Sequence, residues 1–252
     1  YEDAQQGETY RFSIATRYAD GTPAPVAETD PVAVPLAYFT SGDFTYRVME
    51  DEEVTLHSFD TDATDVVIPA SVIYKDKEFR VVALDPSLFT SRRLLKSMAI
   101  EADVETIPEN FLYGCVALSS LTLPDGIRTI GERAMFGCVG LCEIGLPESL
   151  EVIESRAFEN CRGLKAVAFG QWLAEIGEAA FSGCGSLAHV SFATSEPPSV
   201  GADAFKGVDA GCVGECPEES VDAYIAVENL APLHFPMSGI ATVGTAGEVE
   251  YY

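Results

Sequence analysis

Residues 102–193 decide the fold, because they consist of consecutive 23-residue blocks that share one pattern of apolar residues. The blocks read ADVETIPENFLYGCVALSSLTLP (102–124), DGIRTIGERAMFGCVGLCEIGLP (125–147), ESLEVIESRAFENCRGLKAVAFG (148–170) and QWLAEIGEAAFSGCGSLAHVSFA (171–193). The apolar columns are Ile107, Ile130, Ile153 and Ile176; Leu112, Met135, Phe158 and Phe181; Cys115, Cys138, Cys161 and Cys184; and Leu118, Leu141, Leu164 and Leu187. A fixed period of about 20 to 29 residues with several apolar columns is the signature of stacked repeats.

The blocks also predict the conformation of one repeat. Each contains two short extended segments, as at 127–130 and 141–146, separated by a predicted turn of helix at 132–137. Extended segments of successive repeats stack about 4.8 Å apart, so five repeats give a body of roughly 24 Å. We therefore expect an α/β repeat solenoid whose interior is filled by the apolar columns.

The chain before the blocks predicts a leader and a cap. Residues 1–43 hold an alternating run at 10–18 and then Pro23, Pro25, Pro31 and Pro35, which favour an extended linker over a sheet. A partly disordered or loosely docked leader and an added edge strand both fit this segment. Residues 44–78 include strand-like runs at 44–49 and 54–59, and we expect them to form a β-rich N-terminal cap, because an uncapped stack exposes an apolar face.

The remaining boundaries follow the period. Five 23-residue repeats are expected at 79–193, the first of them degenerate, with Arg92 where later repeats have cysteine. That substitution suits a repeat beside the cap, where the inner wall reaches solvent. A degenerate repeat and a short C-terminal cap with a helix at 221–228 are expected at 194–240, followed by a tail at 241–252.

The charge balance limits the partners. Forty acidic residues against 15 basic ones give a net charge of −25, which excludes nucleic acid, whose phosphates need Lys and Arg, and anionic membrane surfaces. No apolar run approaches the roughly 18 residues of a membrane span, so we expect no direct membrane insertion. Because the chain begins at Tyr1 without a signal segment, we interpret it either as a mature form whose signal peptide has been removed or as an excised piece of a longer chain.

The repeat motif I-x4-[AF]-x3-C-x2-L-x2-[LIV]-x-[LF]-[PGA], as at 153–170, resembles the BspA-like leucine-rich-repeat proteins of bacterial surfaces. The flanks VVIPASVIYKDKEFRVVAL (66–84) and CPEESVDAYIAVENLAPLHF (216–235) are similar to the lead-in and closing segments of that family, although Leu230 or Leu233 falls near where the family often has Trp. The resemblance implies a curved, right-handed leucine-rich-repeat stack that is secreted or surface-displayed, acts by adhesion, and has no catalytic residues.

The candidate metal and catalytic groups favour structural roles. Stacked thiols point in parallel directions that do not suit disulfides, so we expect the cysteine column to be an inert part of the core. A zinc site from Cys138, Cys142, Cys212 and Cys216 and a calcium site in the acidic run 60–65 are weaker alternatives, and we predict no metal and no cofactor. None of the three histidines lies in a catalytic signature, so we predict no enzyme. Cys142 falls in a solvent-facing column, which leaves open a partly shielded free thiol or pairing between molecules.

The outward side of the sheet is the best candidate for binding. Its columns hold small residues, so a partner can lie close along it, although short side chains also suit a strand with no ligand. Trp172 occupies a loop position where it either anchors a partner or folds over its own repeat. We predict a monomeric extracellular protein that binds a protein or glycan, such as host extracellular matrix; the alternative is a structural spacer with no ligand of its own. The candidate face is Trp172, Ser120, Thr122, Glu143, His189 and Ser191.

Overall fold

The computed structural model describes residues 9–10, 13–14, 27–28, 32–33, 38–49 and 52–236. Its first strands are β1 (Thr9–Tyr10), β2 (Ser13–Ile14), β3 (Ala27–Glu28) and β4 (Val32–Ala33). Strand β1 pairs with β4, and β2 pairs with β3, both antiparallel. Most of the predicted leader and the whole predicted tail at 241–252 lie outside the described residues.

A five-stranded sheet covers the first end of the stack. It contains β5 (Tyr38–Ser41), β6 (Phe44–Val48), β7 (Glu53–Phe59), β9 (Ser71–Tyr74) and β10 (Lys77–Leu84), in the order β5-β6-β7-β10-β9. The strands predicted at 44–49 and 54–59 are confirmed as β6 and β7. The sheet begins before residue 44, since the aromatic rings of Tyr46 and Phe79 pack against Phe39, which brings β5 into it.

Short parallel strands form the body in two ladders. The continuous ladder contains β12 (Thr106–Ile107), β14 (Thr129–Ile130), β15 (Val152–Ile153), β17 (Glu175–Ile176) and β19 (Ser199–Val200). The divided ladder contains β8 (Asp65–Ile68), β11 (Ser97–Ile100) and β13 (Ser120–Thr122), then β16 (Ala166–Phe169), β18 (His189–Phe192) and β20 (Val213–Glu215). Ile107, Ile130 and Ile153 are register partners in turn, which confirms the 23-residue repeat.

The apolar columns fill the space between the ladders. The isoleucine column, the cysteine column and the column of Leu118, Leu141, Leu164 and Leu187 are all fully buried. Phe158 and Phe181 are fully buried as well. The rings of Phe158, Phe181 and Phe205 stack with centroids 5.0 and 5.3 Å apart. One column residue per repeat therefore contacts its equivalents above and below, and this stacking makes a single core along the body.

The predicted turn of helix at 132–137 is wrong. Arg133 and Gly137 have φ angles of 53° and 71°, and left-handed residues at these two places in the repeat exclude an α-helix. Their spacing turns alternate amides toward the next repeat: Met135 N donates to Ala157 O, and Gly137 N to Glu159 O, at 2.8 Å in each case. The segment is therefore a series of turns hydrogen-bonded between repeats, and the solenoid contains little helix.

The extended segment predicted at 141–146 forms no strand, and its absence divides the second ladder. Lys165 N donates to Cys142 O at 3.0 Å, but no strand pairing joins this segment to β13 or β16. Glu143 and Gly145 occupy its two outward positions. Both residue types are depleted in strands, and glycine offers no side chain for cross-strand packing.

The second end is closed by short helices. The helix α1 (Val221–Ile225) lies between 3₁₀ turns at Glu218–Ser220 and Glu228–Leu230, close to the helix predicted at 221–228. Its Tyr224 packs against Phe192 and donates its hydroxyl hydrogen to Thr194 O at 3.0 Å. This buried tyrosine covers the apolar face of the last repeats.

Candidate binding surface

The divided ladder presents two outward columns of side chains to solvent. Strand alternation points these residues away from the core, and the parallel registers place equivalent residues side by side. The first column is Asp65, Ser97, Ser120, Glu143, Ala166, His189 and Val213; the second is Val67, Ala99, Thr122, Gly145, Ala168, Ser191 and Glu215. Most are small, so a partner can approach the strand backbone closely.

The structure places the predicted face residues in one region of the repeat. Ser120 and Thr122 are exposed on β13, and Glu143 is exposed on the segment that forms no strand. On β18, His189 is exposed and Ser191 is half-buried. These five side chains therefore lie on the outward columns, on both sides of the break in the divided ladder.

Trp172 lies in the loop that follows β16 and leads to β17. Its side chain is 61% exposed, so the indole does not fold over its own repeat. The next residue, Leu173, is buried and fixes the loop against the core. Gly170 allows the loop to lie close to the preceding repeat, since a Cβ there would meet Glu148 Oε2 at 2.6 Å. The indole is thus an exposed aromatic group on an anchored loop.

The equivalent loop one repeat earlier shows what the tryptophan replaces. Ser149 occupies the same column and donates its hydroxyl hydrogen to the carbonyls of Asp125 and Ile127 at 2.5 and 2.6 Å. That hydroxyl ties one loop to the loop before it. Trp172 has no hydroxyl group to make this short link, and its side chain is exposed to solvent instead.

Charge on this surface is dominated by carboxylates. Hydrogen bonds from Ser97 and Thr64 lower the pKa of Asp65, so this carboxylate stays ionised at the first end of the divided ladder. Arg128 forms an ion pair with Glu151 beside the continuous ladder. With a net charge of −25, the field around the molecule attracts basic groups.

The cysteine column is built into the hydrogen-bonding of the core. Each Sγ donates to a carbonyl of the repeat before it, as Cys161 does to Met135 O and Cys184 to Phe158 O, both at 3.1 Å. Burial raises the pKa of Cys115 to about 11 and that of Cys184 to about 12. Burial also raises the pKa of Cys138 and Cys161. These thiols are protonated at neutral pH, and protonated thiols are weak nucleophiles and poor metal ligands.

The other candidate groups are distributed over the molecule. Cys142 is exposed, whereas Cys212 is buried, with a pKa raised by burial to about 11. His57 Nδ1 lies 2.6 Å from Asp85 Oδ2, and His234 Nε2 lies 2.8 Å from Ala210 O. Across the described parts of the chain, no group of three or more His, Cys, Asp or Glu residues is arranged to hold a metal ion. Likewise, none of the described helices is long and apolar enough to cross a membrane.

Arg92 has a structural role that was not predicted. It stands in the cysteine column, and like the thiols it donates to backbone carbonyls: to Phe59 O at 2.5 Å and Thr61 O at 2.9 Å. Its guanidinium also lies 5.3 Å from the centre of the Phe59 ring. The longer side chain reaches the N-terminal sheet, where a cysteine would be too short. The sign of this role in the sequence was that Arg92 interrupts the column of cysteines.

The comparisons with known proteins agree with this architecture. A family model for the BspA type leucine rich repeat region matches residues 83–210 with six copies. A leucine rich repeat protein of T. pallidum is 26% identical, with a TM-score of 0.58 over 69% of this chain and 79% of that one. A leucine rich cell surface protein of Faecalibacterium prausnitzii is 22% identical, with a TM-score of 0.58 over 76% of this chain. The match spans 57% of that protein's length.

A third structure, a leucine-rich repeat protein of Bacteroides ovatus, is 24% identical, with a TM-score of 0.51 over 68% of this chain and 57% of that one. No curated protein matches the chain significantly. The family model, the confirmed 23-residue register and the neighbouring structures identify the same architecture. The chain belongs to the BspA-type leucine-rich-repeat family.

Proposed function

We propose that this protein is a monomeric, non-enzymatic binding protein, located outside the cell or at its surface. It recognises a protein or a glycan, such as a component of host extracellular matrix. The contact surface is the outward side of the divided ladder together with Trp172. The observation that carries this proposal is the 61% exposure of the only tryptophan, on a loop held by the buried Leu173. Tryptophan is strongly enriched among residues that dominate binding energy.

The mechanism is recognition by a rigid surface. The ladder strands and the hydrogen-bonded turns between repeats hold the surface in one shape, so little conformational entropy is lost when a partner binds. Trp172 supplies a large apolar contact. Ser120, Thr122 and Ser191 supply hydroxyl groups that donate to and accept from a peptide or a sugar.

Electrostatics selects among partners. The net charge of −25 repels anionic surfaces and speeds encounter with basic patches. Such attraction between exposed charges is screened by salt, with a Debye length of about 8 Å at physiological ionic strength. Affinity for a protein partner should therefore fall as salt concentration rises.

The test is binding of the purified chain to an array of matrix proteins and glycans at physiological salt. A saturable signal should weaken by at least about tenfold in Trp172→Ala. The matched control is Ile225→Ala, which removes another exposed apolar side chain from the C-terminal cap and should leave binding unchanged. Equal losses in both variants would contradict the proposed surface.

If a cooperatively folded protein binds nothing on the array, the structural spacer is favoured instead. The intrinsic fluorescence of Trp172 offers an independent check. Its emission should be that of a solvent-exposed indole in the free protein, and it should shift when a partner from the array is added. An emission typical of a buried indole would remove Trp172 from the surface.

A further inference from the structure

The joint between the N-terminal sheet and the repeats is open on one side. Residues 82–84 lie one 23-residue period before residues 105–107, so the repeat predicts that they pair as neighbours in the continuous ladder. In the structure β10 pairs with β7 and β9, whereas β14 is the only partner of β12 among the described strands. Elsewhere the same two repeats are joined, for example by Ser87 N donating to Glu109 O at 3.1 Å. The two strands are therefore splayed apart at this point.

Both strands turn unpaired backbone groups toward the opening. Thr129 N and Gly131 N donate to the carbonyls of Glu105 and Ile107, so strand alternation points the amide and carbonyl of Thr106 the other way. On β10, Asp85 N donates to Leu56 O on β7, which points the backbone groups of Leu84 away from β7. Among the described residues, neither Thr106 nor Leu84 takes part in a backbone hydrogen bond across this opening.

A groove of about 420 Å³ lies between these edges. Residues 82–84 form one wall and residues 103–106 the other, so the walls are two extended segments with apolar side chains between them. Unpaired strand edges are the groups that an added strand uses, because its own amides and carbonyls alternate at the same spacing. The volume suits a few residues of extended chain.

The charge at the rim defines the occupant. Asp103 and Glu105 line the groove and are both exposed. Neither carboxylate forms an ion pair with any residue in the described ranges. Arg128 follows Glu105 in the register but forms its ion pair with Glu151. Two carboxylates without an ion pair at the rim of the groove favour lysine or arginine side chains in the segment that enters it.

We propose that this groove binds an extended, positively charged peptide segment of a partner protein, which adds as a strand between β10 and β12. Its backbone hydrogen-bonds to Leu84 and Thr106, and its basic side chains pair with Asp103 and Glu105. The site is separate from the outward side of the divided ladder, so this proposal does not depend on the role of Trp172.

The test uses the full chain and fluorescein-labelled hexapeptides, with binding followed by anisotropy. Lys-Val-Thr-Val-Lys-Thr should bind saturably, whereas Glu-Val-Thr-Val-Glu-Thr and an N-methylated version of the basic peptide should not. The double variant Asp103→Asn with Glu105→Gln should weaken binding about fivefold to tenfold, as expected for two exposed ion pairs. Glu175→Gln, on the same ladder but away from the groove, is the matched control and should leave peptide binding unchanged.

Location is established by a benzophenone-bearing basic peptide, which should crosslink to residues 82–84 and 103–106. Three results would overturn the proposal. They are equal binding of the acidic and basic peptides, an undiminished affinity in the double variant, and crosslinks confined to the divided ladder. Absence of binding by the basic peptide to the folded chain would overturn it as well.

Discussion

The two ladders of this solenoid are built from the same repeats, but only one of them is unbroken. The continuous ladder runs without a gap from β12 to β19, whereas the divided ladder loses its strand at 141–146. Leu141 is as fully buried as Leu118 and Leu164. The two inward residues of the missing strand, Ile144 and Leu146, are only half-buried, whereas their equivalents Val167 and Phe169 are buried. The outward residues differ as well, since Gly145, which has no side chain for packing, stands where the neighbouring strands have Thr122 and Ala168. The fully buried columns thus fix the register of the stack, whereas the outward residues and the burial of the inward pair together decide whether a given segment pairs as a strand.

The largest expected effect comes from breaking the buried column. Ile153→Asp places a carboxylate in the middle of the continuous ladder, at a fully buried position without a partner. We expect a loss of roughly 4 kcal/mol or more in the free energy of unfolding, enough to unfold much of the population. Thermal denaturation followed by circular dichroism measures it. Val152→Thr, at the half-buried outward position of the same strand, is the control, and an unchanged cooperative melt in Ile153→Asp would contradict the register.

The next effect concerns the joint between the N-terminal sheet and the repeats. Arg92→Ala leaves the carbonyls of Phe59 and Thr61 without their donor and should cost about 1 to 3 kcal/mol in stability. Arg93→Ala, at an exposed neighbouring position, should be neutral. Urea denaturation measures both variants. Equal stability of the two would show that Arg92 does not connect the sheet to the stack.

A smaller effect, at alkaline pH, should come from the cysteine column. Burial raises the pKa of Cys184 from its ordinary value of 9.0 to about 12, so the folded state holds the proton that the unfolded state releases. The stabilisation is fully present below about pH 9 and is lost as pH rises toward 12. Each thiol contributes a slope of about 1.4 kcal/mol per pH unit in this window. Urea denaturation between pH 8 and pH 11 should show a shallower decline in Cys184→Ala than in the native chain, and identical slopes would contradict the buried, protonated thiol.

The smallest expected effect comes from a substitution that should restore the missing strand of the divided ladder. Gly145 has open space where a Cβ would go, so Gly145→Val should favour a strand at 141–146 and raise stability by about 0.5 to 1 kcal/mol. Gly131→Val is the matched control, because a Cβ there would meet Glu109 N at 2.8 Å and must destabilise the protein. Urea denaturation compares the two. A loss of stability in both would show that the break has another cause.

The sequence predicted what the buried columns determine. Ile130 and Cys138 recur at a fixed spacing because each fills one place in a stacked core, so the period alone gave the register and the solenoid. Arg133 carried no comparable signal: its left-handed conformation follows from hydrogen bonds between repeats, which a local helix pattern does not contain. The role of Arg92 could not be predicted either, because it depends on a contact with Phe59, which is distant in the sequence.

The candidate surface was harder to predict for the same reason. Alternation in each strand correctly placed residues such as Thr122 and His189 outward, because one face of each strand must fill the core. The same alternation could not show that the strand at 141–146 is absent, or that the indole of Trp172 stands in solvent. The groove beside Thr106 arises from a missing pair between two segments that the repeat predicts to be neighbours.

Amide hydrogen exchange of the native protein tests the central claim most directly, since it reports on each ladder strand separately. We expect slow exchange throughout β14, β15 and β17 in the continuous ladder and in β16 and β18 of the divided one. Exchange should be fast at 143–146, where no strand pairing protects the amides. Protection at 143–146 equal to that of β16 would contradict the account, because it would show that this segment pairs as a strand like its equivalents in the other repeats.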